Sequence, residues 1–81
     1  MIDEIKSIIL TLENIKEDES VPRNVRSRIN KTLISLNEEH ELQFKVDKVI
    51  EDLDEVSNDA NLPVYTRIEI MNIIGILGRI Q

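Results

Sequence analysis

Carboxylates are the commonest groups capable of chemistry in this 81-residue chain, and most gather in three clusters: Glu17-Asp18-Glu19, Glu38-Glu39-His40-Glu41, and Glu51, Asp52, Asp54 and Glu55. Convergent carboxylates can hold a hard cation or share a proton. Asp52-x-Asp54, followed by Asn58 and Asp59, partly resembles a calcium loop. It lacks the mid-loop glycine, and the loop's final Glu position falls on Pro63. His40, the single histidine, stands among glutamates between two apolar segments, which predicts an exposed linker residue rather than a metal ligand. The absence of cysteine removes disulfides, thiolate metal sites and cysteine nucleophiles together. There is no glycine-rich phosphate loop, nucleophile elbow or paired histidine on a helix face. The expectation is a protein that is not an enzyme, with no catalytic residue, no cofactor and no metal.

Arg23, Arg26, Arg28 and Lys31 form the one stretch that runs against the charge of the chain, which is −6 from 10 basic and 16 acidic side chains. A nucleic-acid-associated accessory protein would use these four residues. The acidic balance repels phosphate at long range, no aromatic is interleaved for base stacking, and the four spread widely around a helix. Nucleic acid is therefore the alternative reading and a solvated helix face the first.

These groups must be carried by a largely aliphatic scaffold. Fourteen Ile, eight Leu and six Val stand against two aromatics and one Ala. Hydrophobic residues at 41% are too many for disorder, yet a chain this short without disulfides gains from a second copy. No segment is apolar enough to span a membrane, since Ile68 to Ile80 contains Glu69, Asn72 and Arg79. Asp3 and Glu4 do not suit a signal or transit peptide, so a cytoplasmic location is expected, without membrane contact.

At an offset of 41 residues the sequence repeats. Seven of 40 aligned pairs are identical: Ile9/Ile50, Leu12/Leu53, Asp18/Asp59, Pro22/Pro63, Arg26/Arg67, Ile29/Ile70 and Leu36/Leu77. Apolar pairs such as Ile8/Val49, Val21/Leu62 and Leu33/Ile74 fill the gaps at helical spacing. Each half reads helix, short turn, helix. Ile2, Ile5, Ile8, Ile9, Leu12 and Ile15 make the first apolar stripe, and Val25, Ile29, Leu33 and Leu36 the second. Leu42, Val46, Val49, Ile50, Leu53 and Val56 make the third. Pro22 and Pro63 fit the first turns of the helices that follow them, where a missing N–H costs nothing. The expected fold is a single all-α domain over residues 1–81, an up-and-down four-helix bundle of two duplicated hairpins, about 1–38 and 42–80.

Two resemblances follow from these residues. The unit Leu12-Glu-Asn-Ile15…Asp18…Val21-Pro22-Arg-Asn-Val25-Arg26…Ile29…Leu33 resembles a HEAT-type helical repeat. That resemblance implies structural ion pairs between each turn Asp and the Arg eight residues later, Asp18 with Arg26 and Asp59 with Arg67. The strings Glu17–Arg26 and Leu53–Pro63 resemble a family of short archaeal proteins known only as one of the UPF series of uncharacterised families. Membership implies a compact four-helix fold and an archaeal, cytosolic source, and it implies no activity.

The last helix carries more apolar residues than a terminal helix needs. At about 100° per residue from Val64, Ile70, Ile73, Ile74 and Leu77 share one side, while Val64, Ile68, Met71, Gly75 and Gly78 lie nearly opposite. Tyr65 and Ile76 broaden the second set. Either this helix lies in the middle of the bundle, or Val64, Tyr65, Ile68, Met71, Gly75 and Ile76 form an interface with a second copy or another protein. The reading adopted is a small non-enzymatic interaction or structural module, self-associating as a dimer through this helix.

Overall fold

The apolar stripes become four helices in the computed structural model, which describes residues 2–38 and 41–80. They are α1 (Ile2–Glu17), α2 (Arg23–Asn37), α3 (Leu42–Ser57) and α4 (Val64–Ile80). Glu39 and His40, where the linker histidine was placed, lie outside the described residues. Residues three and four apart share a helix face, so each stripe reaches the core as a row. Ile8, Leu12 and Ile15 of α1 are buried, as are Val25, Ile29 and Leu33 of α2. Val46, Val49, Leu53 and Val56 of α3 meet Ile70, Ile73 and Leu77 of α4. Val21 and Leu62, which close the two hairpin turns, complete the core. Leu42 departs from its expected stripe: as the first residue of α3 it is 45% exposed, a turn beyond the reach of the packed layers.

Pro22 lies one position earlier than expected, as the N-cap of α2. Its carbonyl accepts the first helical bond from Arg26 N at 3.0 Å, and Pro63 does the same for Arg67 N at 3.0 Å. A proline here offers a carbonyl to the helix without a stranded N–H.

The helices neighbour one another in a ring, α1 beside α2, α2 beside α3, α3 beside α4, and α4 more loosely beside α1. This is the up-and-down bundle. The HEAT-type resemblance gains no support from this arrangement, because a stack of such repeats would place α1 on α3 and α2 on α4, and neither pair makes a close backbone approach among the described residues. Short hairpin turns return each helix beside its predecessor, and the ring leaves no helix at the centre. The aspect is elongated, 32 × 21 × 20 Å.

Two polar side chains share the core. Thr32 Oγ1 donates to the carbonyl of Arg28 at 3.1 Å. Thr66 is 1% exposed, and its hydroxyl has no partner among the described residues. The equivalent position in the first hairpin is Val25, which is isosteric and apolar. Burying an unpaired hydroxyl costs about 1–3 kcal/mol. Thr66→Val is therefore expected to stabilise the fold by about 1 kcal/mol, raising the thermal midpoint by roughly 4–8 °C. Thermal circular dichroism checks this, and a lowered midpoint would reveal a partner for the hydroxyl.

Candidate functional site

Four of the eight exposed large hydrophobic side chains among the described residues lie at the outer face of α4. Val64 is 68% exposed, Tyr65 54%, Ile68 55% and Met71 58%, and Gly75 and Gly78 continue the same line. The spacing 64, 68, 71, 75, 78 alternates four and three, the seam of a coiled coil. Thus α4 is not a central helix. Ile76 leaves this set, because it is half-buried and faces the α1–α4 groove of about 200 Å³ with Ser7, Thr11, Glu69 and Asn72. The reason is angular: Ile76 lies nearly a quarter turn beyond the seam, on the side that meets α1.

The first hairpin supplies an internal comparison. Moving back 41 residues, the seam becomes Arg23, Ser27, Asn30, Ile34 and Asn37 on α2, also exposed throughout. The same face of the same structural unit is thus mostly polar on α2 and wholly without polar side chains on α4. The fold itself tolerates either.

At one end of the bundle the two hairpin turns bind each other. Ser20 N donates to Asp18 Oδ1 at 2.9 Å, and Asn61 N donates to Asp59 Oδ1 at 2.9 Å, so each aspartate closes its own turn. The other carboxylate oxygen crosses to the opposite hairpin. Tyr65 Oη donates to Asp18 Oδ2 at 3.0 Å, and Asn24 Nδ2 donates to Asp59 Oδ2 at 3.0 Å. Asn24 and Tyr65 are 41 residues apart, as are their acceptors, so the two bonds are reciprocal. Ser20 Oγ also donates to Asp18 Oδ1 at 2.6 Å and lies 2.7 Å from the Tyr65 hydroxyl.

The arginines of the expected ion pairs hold the backbone instead. Arg26 Nε donates to the Val21 carbonyl at 3.0 Å. Arg67 donates from Nε to the Ser57 carbonyl at 2.9 Å and from Nη2 to the Asp59 carbonyl at 2.7 Å. Their charges reach Asp18 and Asp59 only through space, as the smallest influence on either carboxylate. A guanidinium half-buried at the turn satisfies carbonyls that the helix end leaves open, while the carboxylate already has its donors.

Asp18 is held below the ordinary aspartate value by the Ser20 hydroxyl, then the Ser20 N–H and Tyr65, against a small opposing effect of burial. Asp59 is lowered by the Asn61 N–H and then Asn24. A depressed folded-state pKa contributes stability that is fully present above the unfolded value of 3.8 and is lost as pH falls through the folded value. The urea midpoint is expected to hold steady down to about pH 4 and then fall. Asp18→Asn and Asp59→Asn, which keep one acceptor oxygen, should flatten that acid limb. An unchanged limb in both variants would show that these carboxylates do not govern it.

The four basic residues of α2 do not all share one site. Arg26 is engaged at its turn, and Arg28 pairs with Glu55 of α3. Lys31 lines a cleft of about 300 Å³ with Arg28, Ser35, Lys48 and Asp52, where Lys48 pairs with Asp52 at 3.5 Å. Arg23 is exposed at the helix start. Asp52 and Asp54 lie within α3 rather than in a loop, and the Asp54 carbonyl accepts from Ser57 and Asn58. Among the described residues no helix is long and apolar enough to cross a membrane.

Comparison with known proteins places this architecture. The model of an uncharacterised protein family, UPF0147, matches residues 2–80. The chain belongs to UPF0147. A UPF0147 protein of Methanosarcina mazei is 41% identical over 70 residues, which cover 85% of this chain and 75% of that one. A UPF0147 protein of Methanocaldococcus jannaschii is 37% identical over 78 residues, covering 95% and 84%, and one of Pyrococcus horikoshii is 35% identical over 81 residues, covering 98% and 87%. These relatives are archaeal, in agreement with the resemblance seen in the two turn strings. No solved structure matches the UPF0147 chain. The exposure of Val64, Tyr65, Ile68 and Met71 agrees with the second apolar side that the periodicity of α4 predicts. The reciprocal Asn24 and Tyr65 bonds were not anticipated, although the 41-residue pairing of those positions was the signal for them.

Proposed function

We propose that this UPF0147 protein is a non-enzymatic structural or interaction module of the cytoplasm that self-associates through the outer face of α4. One observation carries the reading: the seam Val64, Ile68, Met71, Gly75, Gly78 is apolar and exposed, whereas the equivalent face of α2 is mostly polar. The hairpin does not require an apolar outer face, so its presence on α4 calls for a partner that removes it from water. Tyr65 extends the face and is fixed by its bond to Asp18, which lowers the entropy lost on docking. The duplicated-hairpin reading is supported by the reciprocal bonds between the turns. The basic helix supports contact with nucleic acid less well, since Arg26 and Arg28 already have partners within the chain.

Sedimentation equilibrium at tens of micromolar tests the proposal, with the natural chain expected as a dimer and Ile68→Asp as a folded monomer. A natural chain that remains a well-folded monomer removes it.

A further inference from the structure

The α4 seam is graded in size. Val64, Ile68 and Met71 fill its first half, and Gly75 and Gly78 empty its second. Nothing among the described residues asks for those glycines. Both lie in regular helix without positive φ, and a Cβ built at either meets nothing within 4 Å. Glycine within a helix weakens it, so the space is supplied at a cost. Resting on the self-association proposed above, we propose that two copies pair through antiparallel α4 helices about a twofold axis near Met71. Val64 then seats over Gly78 of the partner subunit, and Ile68 beside the partner's Gly75.

Three physical arguments select this arrangement. Val64 and Gly78 are equidistant from Met71 along a seam about 21 Å long, so an antiparallel pair sets each large residue against an opposite notch. Parallel pairing would set Val64 against its own copy and glycine against glycine, jamming one end and leaving a void at the other. Charge agrees with size. Arg79, exposed in the last turn, lies on the same flank of the seam as Tyr65, whose hydroxyl is bonded to Asp18 in the acidic turn Glu17-Asp18-Glu19. Antiparallel pairing keeps matching flanks together and brings Arg79 beside the partner's acidic turn. Parallel pairing brings the two acidic turns to the same end. The contact is isologous, so it closes at two copies and does not propagate into a fibre.

The chain contains no cysteine, which permits a direct test. Val64→Cys and Gly78→Cys chains are prepared separately, confirmed as dimers by sedimentation, mixed in equal amounts and oxidised mildly. The expected result is a disulfide joining unlike chains as the main product, with little crosslinking of either variant alone. Crosslinking of Val64→Cys chiefly to itself would overturn the antiparallel arrangement while leaving self-association standing. Monomeric chains before oxidation, together with a monomeric natural protein, would overturn both. The double variant Gly75→Ala/Gly78→Ala supplies a second readout. It is expected to raise monomer helicity and to weaken association at least tenfold. Unchanged or tighter association would overturn the glycine notch.

Discussion

Ile68→Asp is expected to sediment as a folded monomer at concentrations where the natural chain is dimeric, with a dissociation constant at least a hundredfold higher. Ile68 is 55% exposed in the single chain, so replacing it removes little intrachain packing. It is the fifth residue of α4, beyond the first turn, where the helix dipole has little effect on an exposed carboxylate. Exposed substitutions of this kind change folding stability by about 0.5 kcal/mol or less. At the interface the balance reverses. Burial of an isoleucine side chain contributes about 1.5–3 kcal/mol, and a carboxylate placed in an apolar seam keeps its hydration only if the seam opens. An isologous contact counts each change twice. At 1.4 kcal/mol per tenfold, the doubled loss of about 3–6 kcal/mol exceeds a hundredfold. Sedimentation equilibrium reads the association, and circular dichroism shows that the fold persists. A dimer of undiminished affinity would place the interface elsewhere.

Leu12→Ala and Leu53→Ala are each expected to lower folding stability by about 2–5 kcal/mol. Both leucines are 0% exposed, and they occupy equivalent positions in the two hairpins. Each substitution loses the transfer free energy of the deleted atoms and leaves a cavity that helices on all sides cannot fully close. Against a total of about 5–15 kcal/mol for a domain, that is a large share. Thermal midpoints should fall by at least about 8 °C. Leu12→Met and Leu53→Met conserve volume and should each cost less than about 1.5 kcal/mol. Urea denaturation monitored by circular dichroism checks both series. A cost under 1 kcal/mol at either site would mean that the core layer around it is not closed.

Much of the fold was legible because helical periodicity is a local property. Leu12 follows Ile8 by four and precedes Ile15 by three, and that spacing puts all three on one face wherever the helix sits. The matching aspartates at 18 and 59 likewise announced two similar turns. Less legible was what those residues touch. The HEAT-type resemblance implies pairing of Asp18 with Arg26. Each instead meets a group that sequence distance conceals: Asp18 takes the Tyr65 hydroxyl 47 residues away, and Arg26 takes the carbonyl of Val21. A carbonyl at a turn has no side-chain signature, and a phenol donor from another hairpin has no local one.

The sequence by itself determined four amphipathic helices, the duplicated turns and the apolar excess on α4. These depend on the side-chain order within one helix or one turn. Only the tertiary structure decided that the hairpins form a ring rather than a stack. It also turned Ile76 toward α1 while leaving Val64, Ile68 and Met71 in water. The same stripes can be buried by either arrangement, since hydrophobic burial is nondirectional. The choice rests on which helices lie side by side and on the bonds that tie Asn24 to Asp59 and Tyr65 to Asp18, contacts between residues far apart in the chain.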